Sequence, residues 1–563
     1  MATVVMRRRL AMRRDSSAAA ASVALMLVLA TRLWSASPCA RCHPDEVAGF
    51  AATPMAQSLG SPRQEPSTTF LHRASGTKFF IQSHGSHLVQ GIERDGVSAQ
   101  YDMNYAIGSG THAIGYLIEL GNHLFQSPLT YYAGRGWGMS PGYENQKAPD
   151  FYRPITPQCL FCHAGAARPV RETLNTYQDP PFEAEGITCQ RCHGPVEAHL
   201  RNPVAGSIIN PAKLPVQARD SVCEQCHLSG EAFILNPGKH FRDFHPGDNL
   251  EDVFSVYVFE SSRDPGHPNA LTVISQSQQL ALSACARMSN GKLWCGTCHN
   301  PHRQPADPVA YFRSRCLSCH GAALLKTHPK PDENCVSCHM PRLPVKNGGH
   351  TIFTDHRIAI YTPEEIAGKQ PAGGHRGEQK TLVPWREPPA QFRERNLGLA
   401  DVQAGEKLKS FDLVNHGFKL LLKSWSDFPN DPAVITAIGQ VLLGEGDPRD
   451  LEDAETLFQR VIQLRPNDAA AYVHAALAWH AEHNDVQAIR YLRKALQLDP
   501  LVQQPYRNLA QIYAQDHNPT MVLQTYSQYL KAFPGSIEAQ TDSHKSSAIK
   551  LLPADDGAGL GAP

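Results

Sequence analysis

The pentapeptide Cys-x-x-Cys-His occurs seven times in this chain of 563 residues and uses fourteen of its fifteen cysteines. At these cysteine and histidine frequencies, chance would produce about 0.02 such matches. Two thiols three positions apart can each add to one vinyl group of the same haem, and the adjacent histidine then ligates the iron. The sequence therefore predicts seven covalently bound c-type haems.

Each motif supplies the same three side chains. The predicted thioether cysteines are Cys39, Cys42, Cys159, Cys162, Cys189, Cys192, Cys223, Cys226, Cys295, Cys298, Cys316, Cys319, Cys335 and Cys338. The predicted proximal iron ligands are His43, His163, His193, His227, His299, His320 and His339. A zinc ribbon does not need a histidine after every second cysteine, and a thioredoxin-like CxxC occurs once beside a βαβ pattern. Both alternatives are therefore disfavoured.

The remaining histidines decide whether each iron has a second axial ligand. Residues 44–358 hold thirteen histidines outside the motifs, enough for seven bis-histidine haems. His199 and His302 follow their own motifs too closely to reach the same iron easily, so we expect each to ligate a neighbouring haem. His356 is also favoured as a ligand. The odd cysteine, Cys285, is interpreted as a free buried thiol, with a redox or ligand role as the alternative.

The N-terminus predicts export. Five arginines precede an apolar stretch at residues 18–30, and small residues follow, so residues 1–37 are interpreted as a secretory signal peptide, with an uncleaved anchor as the alternative. We expect a periplasmic or otherwise extracytoplasmic protein. Lysine plus arginine and aspartate plus glutamate are equal at 53 each, which argues against a nucleic-acid partner.

The motifs and composition divide the mature chain. Residues 38–358 are predicted to form a multihaem cytochrome c domain with short CxxCH helices, long loops, one modest β-region and a haem-packed core. Residues 359–395 are rich in proline, glycine and charge and predict a linker. Residues 396–540 are predicted to form an all-α solenoid, and residues 541–563 are predicted to be a disordered tail.

The solenoid prediction comes from a repeat. Pro466, Pro500 and Pro534 each end a similar segment, so the period is 34 residues twice over, and Pro429 lies 37 residues before the first. A period of 34 with two amphipathic segments is typical of tetratricopeptide repeats. Residues 396–429 are interpreted as a degenerate first unit. Such a solenoid is interpreted as a docking platform for a redox partner or an assembly; the alternative is a helical cap that only stabilises or packs on the haem domain.

Several segments, in order, resemble one family. They are GSGTHAIGYL (108–117), WGMSPGYE (137–144), CLFCHAG, CQRCHGPVEAH, SQSQQLALSACARMSNGKLWCGTCHNPH and CVSCHMP with FTDHRI. Together they resemble the multihaem cytochrome c family that includes the tetrahaem cytochrome c-554 group, in its larger form with C-terminal tetratricopeptide repeats. The resemblance covers about residues 38–358. Seven motifs exceed the tetrahaem pattern, so haem order does not transfer.

The resemblance implies electron transfer by mostly bis-histidine haems. Carried over by position, the implied distal ligands are His112, His199, His302, His350 and His356 and, by looser correspondence, His72, His267 and His328. Three functions stay open. The first is an electron carrier between redox partners, which the histidine surplus favours. The second is an oxidoreductase that acts on a small nitrogen or other inorganic compound at one five-coordinate haem, and the third is an assembly protein.

Overall fold

The computed structural model describes residues 37–85, 87–264, 271–321, 323–330, 334–366 and 381–551, with side chains up to residue 545. The predicted signal peptide lies outside the described residues, apart from Ser37. The chain divides into two compact units, one of which contains the described residues 37–53 and 300–304. Among the described residues, no helix has both the length and the apolar character needed to cross a bilayer.

The smaller unit carries the first motif. A 3₁₀-helix, Pro38–Arg41, is followed by helix α1, Pro44–Ala51, which has proline in its first turn. His302 lies against this helix, because a Cβ added to Gly49 would meet the His302 carbonyl oxygen at 2.7 Å. Arg303 Nη2 lies 3.5 Å from Glu46 Oε1. Residues that follow the fifth motif in sequence therefore pack beside the first.

The larger unit begins with two antiparallel sheets. Their strands are β1 (Leu59–Gly60), β2 (Thr68–His72), β3 (Thr77–His84), β4 (His87–Arg94), β5 (Val97–Asp102), β6 (Tyr105–Ile107), β7 (Ala113–Leu120), β8 (His123–Tyr132), β9 (Gly136–Met139) and β10 (Arg153–Pro154). One sheet has the order β2-β3-β4-β5; the other has the order β1-β6-β7-β8-β10, with β9 on β8. In β3, alternate residues Thr77, Phe79 and Ile81 are buried, as a half-buried strand requires.

This β-content corrects the prediction of one modest β-region. Ten strands lie between the first and second motifs, and their buried face is rich in aromatic and β-branched side chains. The prediction underestimated the β-content because half of these strands have five residues or fewer, too short to show a clear alternation in sequence.

Residues 157–264 carry motifs two to four on short elements. They are α2 (Pro157–His163), β11 (Ala166–Pro169), β12 (Tyr177–Ala184), α3 (Gln190–His193), α4 (Glu197–Arg201), α5 (Val216–His227), β13 (Ala232–Leu235) and β14 (Phe254–Phe259). Strands β11 and β12 form an antiparallel pair, as do β13 and β14. The expected short helices carrying CxxCH are present.

Motifs five to seven lie on helices that bury almost nothing. The elements are α6 (Gln276–Leu282), α7 (Ala284–Met288), α8 (Cys295–Cys298), α9 (Pro308–His320), α10 (Leu324–Thr327), α11 (Cys335–His339), β15 (Arg342–Pro344), β16 (Ile352–Thr354) and α12 (Pro363–Ile366). Strands β15 and β16 form a hairpin. From residue 284 to residue 340, no described residue is buried. This stretch has no protein core of its own.

The predicted linker is in part a structural element. Residues 367–380 lie outside the described residues, but strand β17, Leu382–Pro384, adds to the sheet in the order β13-β14-β17. The next two residues contact the fourth motif: Trp385 Nε1 donates to Glu224 Oε1 at 3.2 Å, and Arg386 pairs with the same carboxylate. The linker boundary at residue 395 was therefore wrong, because residues 381–395 are packed.

The C-terminal region is a stack of helix pairs. Its helices are α13 (Arg393–Leu408), α14 (Phe411–Ser424), α15 (Pro432–Glu445), α16 (Pro448–Leu464), α17 (Ala469–Ala481), α18 (Asp485–Leu498), α19 (Gln504–Gln515), α20 (Pro519–Ala532) and α21 (Ile537–Leu551). Five of these helices, α15 to α18 and α20, are capped by side-chain oxygens of Asp431, Asp447, Asp468, Asn484 and Asn518. The predicted all-α repeat region is confirmed, and α13 with α14 is its first helix pair.

The repeats are packed on the cytochrome region at both ends. At one end, Leu382 and Tyr257 share a core with Leu399 and Leu421. At the other, Phe79 and other buried side chains of the two large sheets share a core with three aromatic residues of α19, α20 and the turn after α20. These residues are Tyr506, Tyr529 and Phe533. The repeats therefore pack on the region that carries the motifs, as the cap alternative expects, and they belong to the same compact unit as residues 54–299.

Polar contacts also join the repeats to the preceding region at each end of the stack. Buried His123 Nε2 lies 3.1 Å from Asp499 Oδ1, and Gln503 Nε2 donates to Asp150 Oδ2 at 3.0 Å. At the other junction, Arg395 Nη1 donates to the Leu235 carbonyl at 2.8 Å. The predicted disordered tail was also placed too early, because α21 continues to Leu551.

Candidate haem-binding sites

One helical turn brings the three functional groups of each motif to one side. The amide of His299 donates to the carbonyl of Cys295 at 2.8 Å, and His193 and His43 repeat this bond to Cys189 and Cys39. Residues i, i+3 and i+4 are neighbours on a helical surface. Both thiols and the imidazole can therefore meet one flat ring system. All fifteen cysteines lie in the described residues, and none forms a disulfide.

Thiols of different motifs lie in contact in the larger unit. The Cys162 and Cys226 thiols lie side by side, which joins the second motif to the fourth. Cys223 and Cys295 join the fourth motif to the fifth in the same way, and Cys316 contacts Cys335, which joins the sixth to the seventh.

The remaining neighbours are close enough for their charges to interact. Cys192 of the third motif interacts with Cys226, and Cys298 of the fifth motif interacts with Cys319 of the sixth. Motifs two to seven therefore form one continuous series.

Half-buried Cys285 lies in this series without belonging to a motif. Its charge acts on both Cys298 and Cys316, so it lies between the fifth and sixth motifs. Its thiol is not fully buried, which differs from the prediction.

His299 and His356 are spaced as two axial ligands of one iron. Their ring centroids are 6.2 Å apart, with 34° between the ring planes. A metal–nitrogen bond of about 2 Å, plus about 1.1 Å from nitrogen to ring centre on each side, gives a centroid separation of about 6 Å. His299 is the predicted proximal ligand of the fifth motif, so the spacing of this pair fits a bis-histidine haem.

The environment of His356 suits ligation through Nε2. Its Nδ1 lies 2.9 Å from the Thr354 carbonyl oxygen, which can only accept, so Nδ1 carries the proton. Gln279 Oε1 accepts from the His356 amide at 2.8 Å. Burial, with a smaller contribution from the neighbouring His299 charge, lowers the pKa of His356 to about 4. The imidazole is therefore neutral at pH 7, the form that binds a metal.

His328 and His339 form a second pair at the same spacing, 6.1 Å between ring centroids. His339 Nδ1 lies 3.0 Å from the Ala359 carbonyl oxygen, which orients Nε2 as in His356. In His328, however, Nδ1 accepts from the Lys330 amide at 3.1 Å. That acceptor role assigns the proton to Nε2, so His328 ligation is supported by spacing alone.

The proximal histidines also lie in the surroundings that ligation needs. Desolvation by the surrounding protein atoms lowers the pKa of His163 and of His227, and desolvation followed by the charge of His227 lowers that of His299, although all three residues keep an exposed surface. His193 Nδ1 lies 2.8 Å from the Ile209 carbonyl oxygen, the arrangement that fixes the tautomer of metal-ligating histidines.

His72 does not fit the role of a distal ligand. Its Nδ1 lies 2.8 Å from Ser75 Oγ, and its Nε2 lies 2.8 Å from the Glu144 carbonyl oxygen. Both ring nitrogens are engaged in a buried turn beside the four-stranded sheet, so neither faces an iron. The looser correspondence that suggested His72 is corrected by this packing.

The other distal candidates have diverse surroundings. The His112 ring stacks on Phe353 at 4.1 Å, and the His350 ring meets Tyr132 edge to face at 5.2 Å, so both lie at the hairpin after the seventh motif. His199 Nδ1 lies 2.8 Å from Ser207 Oγ. His302 belongs to the unit of the first motif, and His267 lies outside the described residues.

The surfaces around the motifs fit a flat apolar group. Between residues 170 and 360, ten large apolar side chains are exposed: Val170, Leu174, Leu200, Val204, Val216, Met288, Val309, Leu324, Ile352 and Ile360. Porphyrin faces would cover such side chains and replace the missing core of residues 284–340. In the described part of the chain, no three His, Cys, Asp or Glu side chains converge to hold a metal ion. A haem iron takes only two ligands from the protein.

The sequence reasoning missed charged residues inside the motifs. Glu224 of the fourth motif is 6% exposed and accepts two hydrogen bonds from Arg386. Burial raises its pKa to about 7, although the Arg386 charge opposes the shift. Arg191 of the third motif lies among three motifs. The signal in the sequence is the charged residue at a variable position of CxxCH, which the predictions from the fixed cysteines and histidine do not include.

A profile of the family described as cytochrome c554 and c-prime matches residues 142–194, which contain the second and third motifs. This match supports c-type haem binding in that segment. The chain has no significant match among curated proteins.

Solved structures similar to parts of the chain include TTC0263, a thermophilic TPR protein of Thermus thermophilus, with 15% identity, a TM-score of 0.24, and coverage of 26% of this chain and 80% of that chain. MamA has 19% identity, a TM-score of 0.23, and coverage of 26% and 84%. Yeast Tom70 has 18% identity, a TM-score of 0.24, and coverage of 29% and 34%. Similarities with TM-scores and identities this low do not support an assignment, so the repeat assignment rests on the helix pairs.

Proposed function

We propose that the chain is an extracytoplasmic c-type cytochrome that carries seven covalent haems and transfers electrons between redox partners. The observation that carries the proposal is the proximity of thiols from the second motif to the seventh, each of which lies in contact with, or within the range of electrostatic interaction of, a thiol of another motif. Haems attached to cysteines that touch are neighbours, and bound haem supplies one-electron redox chemistry. A carrier needs such a series, whereas a single catalytic centre does not.

We assign the distal ligands in order of support. His356 completes the fifth haem with His299, and His328 completes the seventh with His339. His302 is assigned to the first haem, since it lies beside α1 in the same unit. His112, His199, His267 and His350 remain candidates for the other haems, and His72 is removed from the set.

Mass and spectroscopy test the proposal on the whole exported protein. The intact mass should exceed that of the mature chain by seven haems, and the ferric haems should be low-spin. Fewer than seven haems would contradict the central claim. High-spin ferric haem, or carbon monoxide binding to the reduced protein, would instead favour the oxidoreductase with one five-coordinate haem.

A matched pair of variants tests the ligand assignment. His356→Ala should convert about one haem in seven to a high-spin, carbon monoxide-binding form, because His299 loses its opposite ligand. His72→Ala removes a buried imidazole that has no free nitrogen, so the haems of this variant should stay low-spin. Identical spectra for the two variants would contradict the assignment of His356.

Partner docking through the repeats is kept as part of the proposal. Deleting the repeats is not a clean test, because both ends share a core with the cytochrome region. Charge reversal at exposed Glu452 and Asp453 in the middle of the stack should weaken cross-linking to a redox partner while leaving seven haems in place. Glu183, whose side chain is 71% exposed in the cytochrome region, provides the matched control.

A further inference from the structure

A guanidinium lies where the second, third and fourth motifs meet. Arg191, in the third motif, donates from Nη2 to the Phe161 carbonyl oxygen at 2.7 Å, and its Cζ lies 4.5 Å from the centre of the Phe161 ring. The same side chain lies beside the Cys226 thiol, and its charge acts on Cys226, Cys162 and Cys192. One cation therefore faces a thiol from each of three motifs.

The charge of Arg191 is not balanced by a nearby carboxylate. Its Nε atom is buried and has no hydrogen-bond partner, and within the described residues Arg191 forms no ion pair. Two neighbouring cations differ: Arg219 pairs with Asp220 at 2.8 Å, and Arg386 pairs with Glu224. The position of Arg191 is also fixed, because Gln225 Nε2 donates to its carbonyl oxygen at 3.0 Å.

An unbalanced cation in a poorly solvated place favours any nearby group that gains an electron. The Coulomb interaction strengthens as the surroundings lose water, and hydrogen bonds, burial and nearby charge tune haem potentials. Arginine stays protonated at all accessible pH values, so no proton moves with the electron.

We propose that Arg191 raises the reduction potentials of the haems held by the second, third and fourth motifs, making this junction the part of the series where electrons collect. The proposal rests on the proposed function. Each one-electron reduction adds a negative charge beside a fixed positive one, and Arg191 itself is neither oxidised nor reduced.

The test is a spectroelectrochemical titration of the full chain after its haems are counted by intact mass. Arg191→Gln should lower the reduction equilibrium constants of up to three haems about tenfold. For a one-electron couple this corresponds to a fall of about 59 mV in the reduction potential. The other haems should not shift. Arg191→Lys keeps the charge and should stay close to the unaltered protein. Arg168→Gln, a change outside the motifs, should shift nothing.

Two results would overturn the proposal. One is an Arg191→Gln protein with seven haems and unchanged potentials. If Arg191→Gln holds fewer haems, a second neutral variant, Arg191→Met, is titrated in its place. The other overturning result is loss of haem from both neutral variants while Arg191→Lys keeps seven, which would assign Arg191 to haem attachment. Fewer than seven haems in the unaltered protein would count against the proposed function, a separate failure.

Discussion

Two helices of thirteen residues show how differently the regions of this chain are held together. Helix α17, Ala469–Ala481, buries six residues against its neighbours, whereas α9, Pro308–His320, which ends in the sixth motif, buries none. An isolated helix of this length is marginal in water, so tertiary packing must stabilise it. The repeats supply that packing from their own side chains. Residues 284–340 do not, and we infer that attached haem provides it.

The largest expected effect separates these regions directly. When haem attachment is blocked by producing the chain without the attachment machinery, amide hydrogen exchange in α9 should approach that of an unfolded segment, because its core is lost. Exchange in α17 should remain slow. Mass-spectrometric hydrogen exchange on the haem-loaded and haem-free chains makes the measurement. Equal protection of α9 in both would show that its stability comes from elsewhere.

A second prediction tests the shared core at the end of the repeats. Phe533 is fully buried beside Tyr152, Tyr506 and Tyr529, so Phe533→Ala should lower the free energy of unfolding by about 3–5 kcal/mol. Denaturant titration of the haem-loaded protein measures the change. Phe411, 68% exposed on α14, is the control, and its alanine variant should cost far less. Similar costs for both would mean that the repeats do not pack as described.

Much of this arrangement could be predicted from sequence, and the rest could not for physical reasons. The Cys-x-x-Cys-His spacing and the proline period are local, so a short stretch of sequence displays them. Packing of Phe533 against Tyr152 joins residues almost 400 positions apart, and nothing local marks either one as a partner. Strand β17 was hidden for the same reason, since its pairing with β14 is set by Val258 and Val383 at a distance.

The site shows the same division. Attachment residues follow from the motif, but the choice between His356 and His72 depends on what each ring nitrogen contacts. His356 uses Nδ1 on a carbonyl, while His72 uses both nitrogens. Both are histidines in a suitable segment, and only the folded chain distinguishes them.

A third prediction concerns the contact between β17 and the fourth motif. Arg386→Gln should cost about 1–3 kcal/mol, because buried Glu224 loses its charged donor. In the folded chain the pKa of Glu224 is raised to about 7, above the unfolded value of about 4.3, so the folded state binds the proton more tightly. The resulting contribution to the free energy of unfolding is complete below a pH of about 4.3 and is lost as the pH rises through about 7. Without Arg386 the pKa rises further, and the loss of stability should be greater at pH 8 than at pH 5.

Thermal unfolding at the two pH values tests this prediction. Arg393→Gln is the matched control, since its ion pair with Glu387 is exposed on both sides and should contribute little. A cost for Arg386→Gln that is independent of pH would contradict the account of Glu224.

The smallest expected effect tests whether every thiol of the haem-dependent region is required. Cys285 lies near Cys298 and Cys316 but has no second cysteine and histidine in the attachment spacing. Cys285→Ser should therefore leave the haem content unchanged and change stability by no more than about 0.5 kcal/mol. Cys316→Ser, a matched change on α9, removes one of two thioether links and should weaken or abolish haem retention there. Intact mass distinguishes the two, and haem loss from Cys285→Ser would show that attachment in this region needs more than the pentapeptide.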